Sequence, residues 1–290
     1  MAIANLTTKE VARLLRVSEA TVKRWADDGR LRSEKTVGGH RRFGIQAIAH
    51  LRRQQGVGPD SQAPARNAAR KKRAAKPLLS PATLRDLLLR GDESEAAAVL
   101  VDAYLQDHAL ASLFDTTITE AMHQVGELWF EGTITVADEH LATRVVLSAL
   151  QKLRGIVLPA EPTGLKAICC GIEGDLHELP IHLVEIILEV EGWDAKNLGP
   201  NLPLFALREM VAQQRPHLVC ISARTIADLD RATAEYAQLR KLTEKHAAAV
   251  VIGGEGFRDP AFRERFPSDF YAEDFLGLTK FIRALAKKEA

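Results

Sequence analysis

The sequence predicts a multi-domain α and α/β protein: an N-terminal winged helix-turn-helix, a bundle of four to five helices, and a C-terminal doubly wound, Rossmann-like parallel sheet. Charge is the first observation, since residues 1–77 hold 18 Lys and Arg against 6 Asp and Glu, whereas the remainder holds 21 against 32. From about residue 77, apolar residues recur at three- and four-residue steps, which is typical of helices. From residue 165, short apolar runs alternate with helical patterns, as in a parallel sheet covered by helices.

The composition indicates a globular cytoplasmic protein. Of the 290 residues, 46% are hydrophobic, as in packed cores, and no run of about 18 uncharged apolar residues suggests a membrane span. The N-terminus lacks the basic-then-apolar layout of a signal peptide. Cys169, Cys170 and Cys220 lie in apolar runs without the spacing of a zinc site, so we expect them to be reduced core residues. The basic N-terminal part predicts a polyanion as its partner.

Residues 1–55 have the pattern of a helix-turn-helix. Thr7–Glu10 can cap one helix, and Ser18 can cap a second, Glu19–Asp28, which Gly29 allows to end. In this arrangement the second helix enters the major groove of DNA, where short polar and basic side chains contact base edges. The candidate DNA-binding residues of this helix are Thr21, Lys23 and Arg24.

A basic hairpin, Leu31–Phe43, follows the second helix. Two glycines permit a tight tip, and the next residues, His40, Arg41 and Arg42, suit phosphate or minor-groove contact. The stretch EVARLLRVSEATVKRWADDGRL, with GGHRRF after it, resembles the MerR-type winged helix and especially its small excisionase-like branch. The resemblance implies binding to double-stranded DNA, with Trp25 in the domain core. A helical hairpin that binds another protein is the alternative.

The middle of the chain predicts a linker and then the bundle. Residues 56–76 are rich in Ala, Arg, Lys and Pro with almost nothing to bury, which predicts a flexible basic linker. This linker is either a solvated spacer or an arm that grips DNA. Residues 77–160 predict the helical bundle, because Ser80-Pro81 can open a helix and apolar faces recur as far as an amphipathic helix, Leu141–Leu158.

Residues 161–290 predict the Rossmann-like sheet. The apolar runs that indicate strands are Leu165–Cys170, Leu218–Ser222 and Ala248–Ile252. The helical patterns that alternate with them are Pro180–Glu191, Leu204–Gln214 and Asp230–Lys245. In a sheet of this kind, ligands bind in the crevice beyond the C-terminal ends of the strands.

Polar and glycine residues follow these strands at regular separations. Asp175-Leu176-His177 comes after the first strand, Ser222 ends the second, and Gly253-Gly254 follows the third. This spacing resembles the base-off, His-on cobalamin-binding fold. The resemblance implies that His177 ligates cobalt from below and that Asp175 holds its other ring nitrogen. It also implies that Ser222, Gly253 and Gly254 line the slot for the nucleotide tail, where glycine avoids a Cβ clash.

Two residues depart from the family pattern. Pro180 stands in place of the motif glycine, and proline is well tolerated at a helix N-terminus. Arg224 stands in place of an apolar residue, where it either pairs with a phosphate of the ligand or fills the slot of a domain that no longer binds one.

The bundle carries a second motif. Trp129 is followed after nine residues by Glu139-His140, which is similar to the pattern of CarH-type light-responsive repressors. The resemblance implies adenosylcobalamin as chromophore, with Trp129 over the upper face of the corrin and with Glu139 and His140 enclosing the adenosyl group. Phe130 stands where the light-sensing branch often has a histidine, and His123, about two turns earlier, is the alternative upper ligand.

The sequence therefore predicts a non-enzymatic DNA-binding repressor, a homodimer or homotetramer, with a cobalamin that controls it. Three alternatives stay open. A methyl-transferring corrinoid protein shares the bundle and sheet but has no use for a DNA-binding domain. A haem sensor on the same fold would use His177, with Arg224 pairing a propionate. A ligand-free regulator would use its acidic half to bind a partner protein.

Overall fold

The computed structural model describes residues 5–15, 17–36, 38–44, 47, 51, 79–106 and 109–289. The predicted linker, 56–76, lies outside the described residues. None of the helices in the described part of the chain combines the length and the apolar character that a membrane span requires.

The N-terminal region is a winged helix-turn-helix. Its elements in chain order are β1 (Asn5–Thr7), α1 (Thr8–Leu14), α2 (Glu19–Asp27), β2 (Glu34–Lys35) and β3 (Arg41–Gly44). The strand β3 pairs antiparallel with both β1 and β2. The side chain of Ser18 accepts a hydrogen bond from the backbone of Thr21 at 3.1 Å, so the predicted cap of α2 is confirmed. Trp25 packs partly buried against the core, as expected.

The bundle has four long helical segments. They are α3 (Pro81–Leu89), α4 (Glu93–Leu105), a continuous third segment, and α7 (Val136–Arg154). The third segment consists of α5 (Leu110–Leu113), a π-helical stretch (Phe114–Thr119) and α6 (Glu120–Phe130). The predicted bounds of the helix Leu141–Leu158 were wrong at both ends, because α7 runs from Val136 to Arg154. A capping box between Thr135 and Asp138 starts the helix five residues earlier, which puts Glu139-His140 in its first turns.

The C-terminal sheet has five parallel strands in the order β5-β4-β6-β7-β8. The strands are β4 (Lys166–Gly171), β5 (Asp194–Asn197), β6 (Leu218–Ser222), β7 (Ala249–Gly253) and β8 (Phe270–Ala272). The helices are α8 (Leu179–Val190), α9 (Leu204–Gln214), α10 (Leu229–Lys245), α11 (Pro260–Arg263) and α12 (Phe275–Glu289). The predicted doubly wound sheet is confirmed, and the edge strands β5 and β8 are additional to the three predicted strands.

One face of the sheet shares its core with the bundle. Alternate residues of the inner strands, such as Cys169 and Cys220, lie in one buried cluster with apolar residues of α3 to α8, whereas Cys170 and Ile221 face the cluster under α9 and α10. All three cysteines are buried and unpaired, as expected.

Hydrogen bonds of Arg154 and Asp115 join the bundle to the sheet. The guanidinium of Arg154 at the end of α7 donates to Glu185 at 2.9 Å and to Glu189 at 2.7 Å, both on α8. The carboxylate of Asp115 in the π-helical stretch accepts from the backbone amides of Phe275 and Leu276 at 2.8 and 3.0 Å, at the start of α12. The bundle and the sheet therefore form one packed unit.

Candidate functional site

The order of the strands locates the candidate site. The chain passes from β4 to β5 on one side and then to β6 on the other, so the crevice in which such sheets bind ligands is expected beyond the C-terminal ends of β4 and β6. The loop after β4 carries Asp175 and His177, and the loop after β6 carries Arg224. These loops are the ones that the sequence pattern singled out.

The carboxylate of Asp175 organises the loop after β4. It is 1% exposed and accepts hydrogen bonds from the backbone amide of His177 at 3.0 Å and from the backbone amide of Arg224. The backbone of Asp175 is held as well, because its carbonyl accepts from the amide of Asn201 at 2.9 Å. Burial raises the pKa of Asp175, but hydrogen bonds from the His177 ring and from the Arg224 and His177 amides outweigh it and the pKa is lowered overall. Asp175 is therefore an ionised, fixed acceptor.

The ring of His177 is oriented by that acceptor. Nδ1 lies 2.6 Å from Asp175 Oδ1, and the side chain is 50% exposed. Because an ionised carboxylate can only accept, Nδ1 carries a proton, so in the neutral ring the lone pair lies on Nε2. Within the described part of the chain, Nε2 has no hydrogen-bond partner. An imidazole fixed in this tautomer, with Nε2 accessible, is the arrangement of a metal-ligating histidine.

His182, one turn into α8, is held in a different environment. Its Nδ1 lies 3.5 Å from Glu185 and 3.4 Å from the Asn197 amide nitrogen, and its Nε2 lies 3.8 Å from Glu178. The hydrogen bond to Glu185 raises the pKa of His182 against the opposing effect of burial. Both ring nitrogens are thus already engaged by the protein.

The ends of β6 and β7 hold Ser222 and the glycine pair. Ser222 is the last residue of β6 and pairs with Gly171 and Gly253 in the neighbouring strands. Gly254 has φ +98°, and a Cβ there would lie 2.4 Å from the Ala223 carbonyl oxygen. A Cβ at Gly253 would lie 3.2 Å from the Ala272 carbonyl oxygen. The fold itself therefore requires Gly254, whatever the crevice binds.

The two departures from the expected motif take up specific positions. Pro180 lies in the first turn of α8, where its missing N–H costs nothing. Arg224 contributes its backbone amide to Asp175, while its side chain is exposed. The contact that Arg224 makes with the His177 loop is therefore independent of its side chain.

The corner between α6 and α7 is unusually apolar for a surface. Trp129 is 49% exposed and Phe130 88%, and Val136 and Leu141 at the start of α7 are also exposed. Glu139 accepts a hydrogen bond from the Thr143 hydroxyl at 3.0 Å, and His140 is exposed 3.8 Å from Glu139. His123 pairs with Glu127 at 3.5 Å on the exposed side of α6.

An ion pair connects this corner to the His177 loop. Arg144, one turn after His140 on α7, lies 3.7 Å from Glu178, the residue next to His177. On the loop side, Leu176 is a further exposed apolar residue. The first half of α7 and the His177 loop therefore border the same crevice. Sequence reasoning missed Arg144 and Glu178, although Arg144 shares the helix face of His140 and the i+4 spacing was available as a signal.

Some of the predicted DNA-binding residues are exposed, and others contact neighbouring residues of the chain. Lys23 and Arg24 on α2 and His40 at the wing are exposed. The Thr21 hydroxyl lies 2.9 Å from that of Ser18 at the start of α2. Arg42 lies on the middle strand of the small sheet, opposite Thr7 and Glu34. The guanidinium of Arg41 is engaged within the protein, with Asp27 and with the carbonyl oxygen of Lys23.

Family models match two parts of the chain. Residues 82–154 match the model of a B12 binding domain, and residues 6–56 match that of a helix-turn-helix domain. The combination of the two suggests a cobalamin-dependent DNA-binding regulator.

Relatives of two kinds share sequence with the chain. Trimethylamine corrinoid protein 1 of Methanosarcina acetivorans is 21% identical over 207 residues, which cover 70% of this chain and 95% of that protein. The HTH-type transcriptional repressor CarH of Myxococcus xanthus is 32% identical over 124 residues, 40% of each chain. A solved structure, the monomethylamine corrinoid protein of Methanosarcina barkeri, superposes with a TM-score of 0.59 at 17% identity, covering 70% of this chain and 96% of that one. That structure shares the fold of the bundle and sheet.

Proposed function

We propose that the chain is a cobalamin-dependent transcriptional repressor whose ligand is adenosylcobalamin and whose signal is light. The observation that carries this proposal is the His177–Asp175 pair, with Nδ1 2.6 Å from the carboxylate, at the switch point of the sheet. It occurs in a chain that also has a winged helix-turn-helix.

The residues at the crevice fit a cobalamin. His177 offers one accessible ring nitrogen, and the apolar corner with Trp129 offers the surface that a corrin face would cover. Under the proposal His177 is the lower ligand of cobalt, and Asp175 fixes its tautomer. Ser222, Gly253 and Gly254 border the slot for the nucleotide tail, and Trp129, Glu139 and His140 enclose the upper ligand.

When bound, adenosylcobalamin would supply a cobalt–carbon bond that visible light breaks. The protein's own contribution is the corner between α6 and α7, whose packing depends on whether an upper ligand lies against Trp129. The shared core and the Arg144–Glu178 pair would pass such a change between the bundle and the His177 loop. Phe130 cannot ligate cobalt, so this corner does not supply a replacement ligand at that position.

DNA binding is assigned to α2 and the wing. Thr21, Lys23 and Arg24 would enter the major groove, while His40 and Arg42 on the wing would contact the backbone or minor groove. Assembly into a dimer or tetramer would raise the affinity for an operator, because several reading domains are held together.

The test has two stages: loading the protein with a ligand, and then illuminating the loaded protein. Full-length protein is incubated in the dark with adenosylcobalamin or with haemin, and its absorption spectrum is recorded after gel filtration. We expect retention of adenosylcobalamin; retention of haemin alone would replace the proposed ligand with haem. The adenosylcobalamin-loaded protein is then analysed by size-exclusion chromatography and by DNA binding before and after illumination.

We expect a DNA-binding oligomer in the dark that illumination dissociates. A protein loaded with cyanocobalamin is the control, because it occupies the crevice without an adenosyl group. An unchanged elution volume and unchanged DNA binding after illumination would contradict the light signal and leave a regulator that responds to the presence of the ligand.

A further inference from the structure

The wing contains an arginine that is bound to the helix beside it. Arg41 is the first residue of β3, and its Nη1 donates to the Lys23 carbonyl oxygen at 3.1 Å and lies 3.4 Å from Asp27 Oδ2. Its Nη2 forms an ion pair with the other oxygen of Asp27. The side chain of Arg41 is 21% exposed, whereas that of Asp27 is 62% exposed. The guanidinium thus lies against the last turn of α2.

The alternation of β3 explains why Arg41 points to α2. Side chains of a strand alternate between its two faces, so Arg41 shares a face with Phe43, which is completely buried in the N-terminal core. Arg42 lies on the opposite face. A cation at the C-terminal end of a helix is also favoured by the helix dipole. Two adjacent arginines of the same motif are therefore placed in different surroundings.

We infer that Arg41 is a positioning residue, which fixes the wing against α2 so that both meet DNA in a defined orientation. This inference rests on the proposed DNA-binding function and reassigns one residue within it. The hairpin β2–β3 is short, and Arg41 pairs with Lys35 at the end of the two strands next to the turn. The Asp27 ion pair therefore ties the start of β3 to the last turn of α2, the helix proposed to enter the major groove. Phosphate contact by the wing is left to His40 and Arg42.

The two roles predict opposite effects of removing Asp27. If Arg41 contacts phosphate, Asp27 only repels DNA and competes for the arginine, so Asp27→Ala tightens binding. If Arg41 positions the wing, Asp27→Ala releases the wing and weakens binding. Asp28→Ala is the matched control, because it removes the same charge from the adjacent, exposed position at the end of α2.

The DNA probe is the duplex that the wild-type, cobalamin-loaded chain enriches from a random-sequence library. We expect Asp27→Ala to weaken binding to this duplex about two- to five-fold, the range for a partly exposed ion pair. Asp28→Ala should leave the affinity equal or slightly higher. Tighter binding by Asp27→Ala, matching that of Asp28→Ala, would overturn the inference.

A double-mutant cycle and the salt dependence separate positioning from general loss of structure. Arg41→Gln should weaken binding as Asp27→Ala does, and the double variant should be no weaker than either single variant. Because no phosphate contact is lost, the slope of log affinity against log salt should stay at its wild-type value. A slope reduced by about 0.9, the value for one phosphate, would assign Arg41 to the DNA backbone.

Hydrogen exchange of the DNA-free, full-length chain tests the ion pair independently of DNA binding. We expect the amides of β2 and β3 to exchange faster in Asp27→Ala than in the wild type or in Asp28→Ala. Equal exchange in all three proteins would show that the ion pair does not hold the wing. A wild-type chain that enriches no duplex would instead overturn the DNA-binding function itself.

Discussion

The two sides of the crevice are built in opposite ways. On the His177 side, a buried carboxylate accepts from the ring and from two backbone amides of two different loops. On the bundle side, the corner of α6 and α7 exposes large apolar side chains, with Phe130 88% exposed. On the first side, the hydrogen bonds that orient His177 all come from the chain itself. The second side has its apolar surface uncovered.

This difference indicates how each side would take part in binding. A group that is already held by hydrogen bonds gives affinity and geometry, because little has to be ordered when the ligand arrives. An exposed apolar corner contributes free energy when a ligand buries it. The extent of that burial can differ between a ligand with an upper group and one without it. We therefore expect substitutions on the His177 side to act on retention of the ligand and substitutions at the corner to act less strongly.

The largest effect is expected at His177. His177→Ala should abolish retention of cobalamin through gel filtration, because it removes the one accessible imidazole nitrogen of the loop. His182→Ala is the matched control and should retain cobalamin, since both of its ring nitrogens are engaged by Glu178, Glu185 and Asn197. Absorption spectra after gel filtration give the measurement. Equal retention in both variants would remove His177 from its proposed role.

A smaller effect is expected at Asp175. Asp175→Asn should weaken cobalamin binding about 10- to 100-fold, the range for partners that orient a metal-ligating histidine. An asparagine amide oxygen can still accept one hydrogen bond. It carries no negative charge, however, so it fixes the Nδ1-protonated tautomer of His177 less strongly than the carboxylate does. Titration of the apo-protein with cobalamin measures the change, and an affinity within about two-fold of the wild type would contradict this role.

The pH dependence of stability provides a second measurement on the same variant. The folded state lowers the pKa of Asp175, so its contribution to the free energy of unfolding is present above its unfolded pKa, about 4. This contribution is lost as the pH falls through the lowered pKa of the folded state. Denaturant unfolding across this acidic range should therefore show a shallower pH dependence for Asp175→Asn than for the wild type.

The smallest effect is expected at Trp129. Trp129→Ala should weaken cobalamin binding several-fold and change stability little, because about half of the side chain is already exposed. Phe205→Ala is the matched control, since Phe205 is 47% exposed on α9, which covers the opposite face of the sheet. It should leave cobalamin binding unchanged. If Trp129→Ala abolished retention as completely as His177→Ala, the proposed difference between the two sides would be wrong.

Elements with strong apolar patterns were predictable from the sequence, whereas edge elements were not. The bounds of α9 and β6 agree with their predicted ranges because both have continuous apolar patterns with clear ends. The edge strand β5, Asp-Ala-Lys-Asn, was not indicated, since only its pairing with β4 makes it a strand. The π-helical stretch Phe114–Thr119 likewise has no local sequence signal.

The candidate site was predictable where its contacts are local. The Asp175–His177 interaction spans two residues, so the motif itself contains it. The backbone contact of Arg224 with Asp175 joins two loops of the sheet, and the pairing of Arg144 with Glu178 joins the bundle to the sheet. Both contacts join segments far apart in the chain, so they depend on the tertiary structure. The position of Arg41 could have been predicted from a local signal. Phe43, two residues later, is an aromatic residue suited to the core, and alternation along a strand places Arg41 on the same face.

The carboxylate of Asp115 has a consequence for how such chains can be recombined. It belongs to the bundle, yet it caps α12, the last helix of the chain, about 160 residues later. A chimera that exchanges the bundle alone would separate this acid from the two amides that satisfy it, leaving a half-buried charge without donors. The bundle and the final helix should therefore be transplanted together.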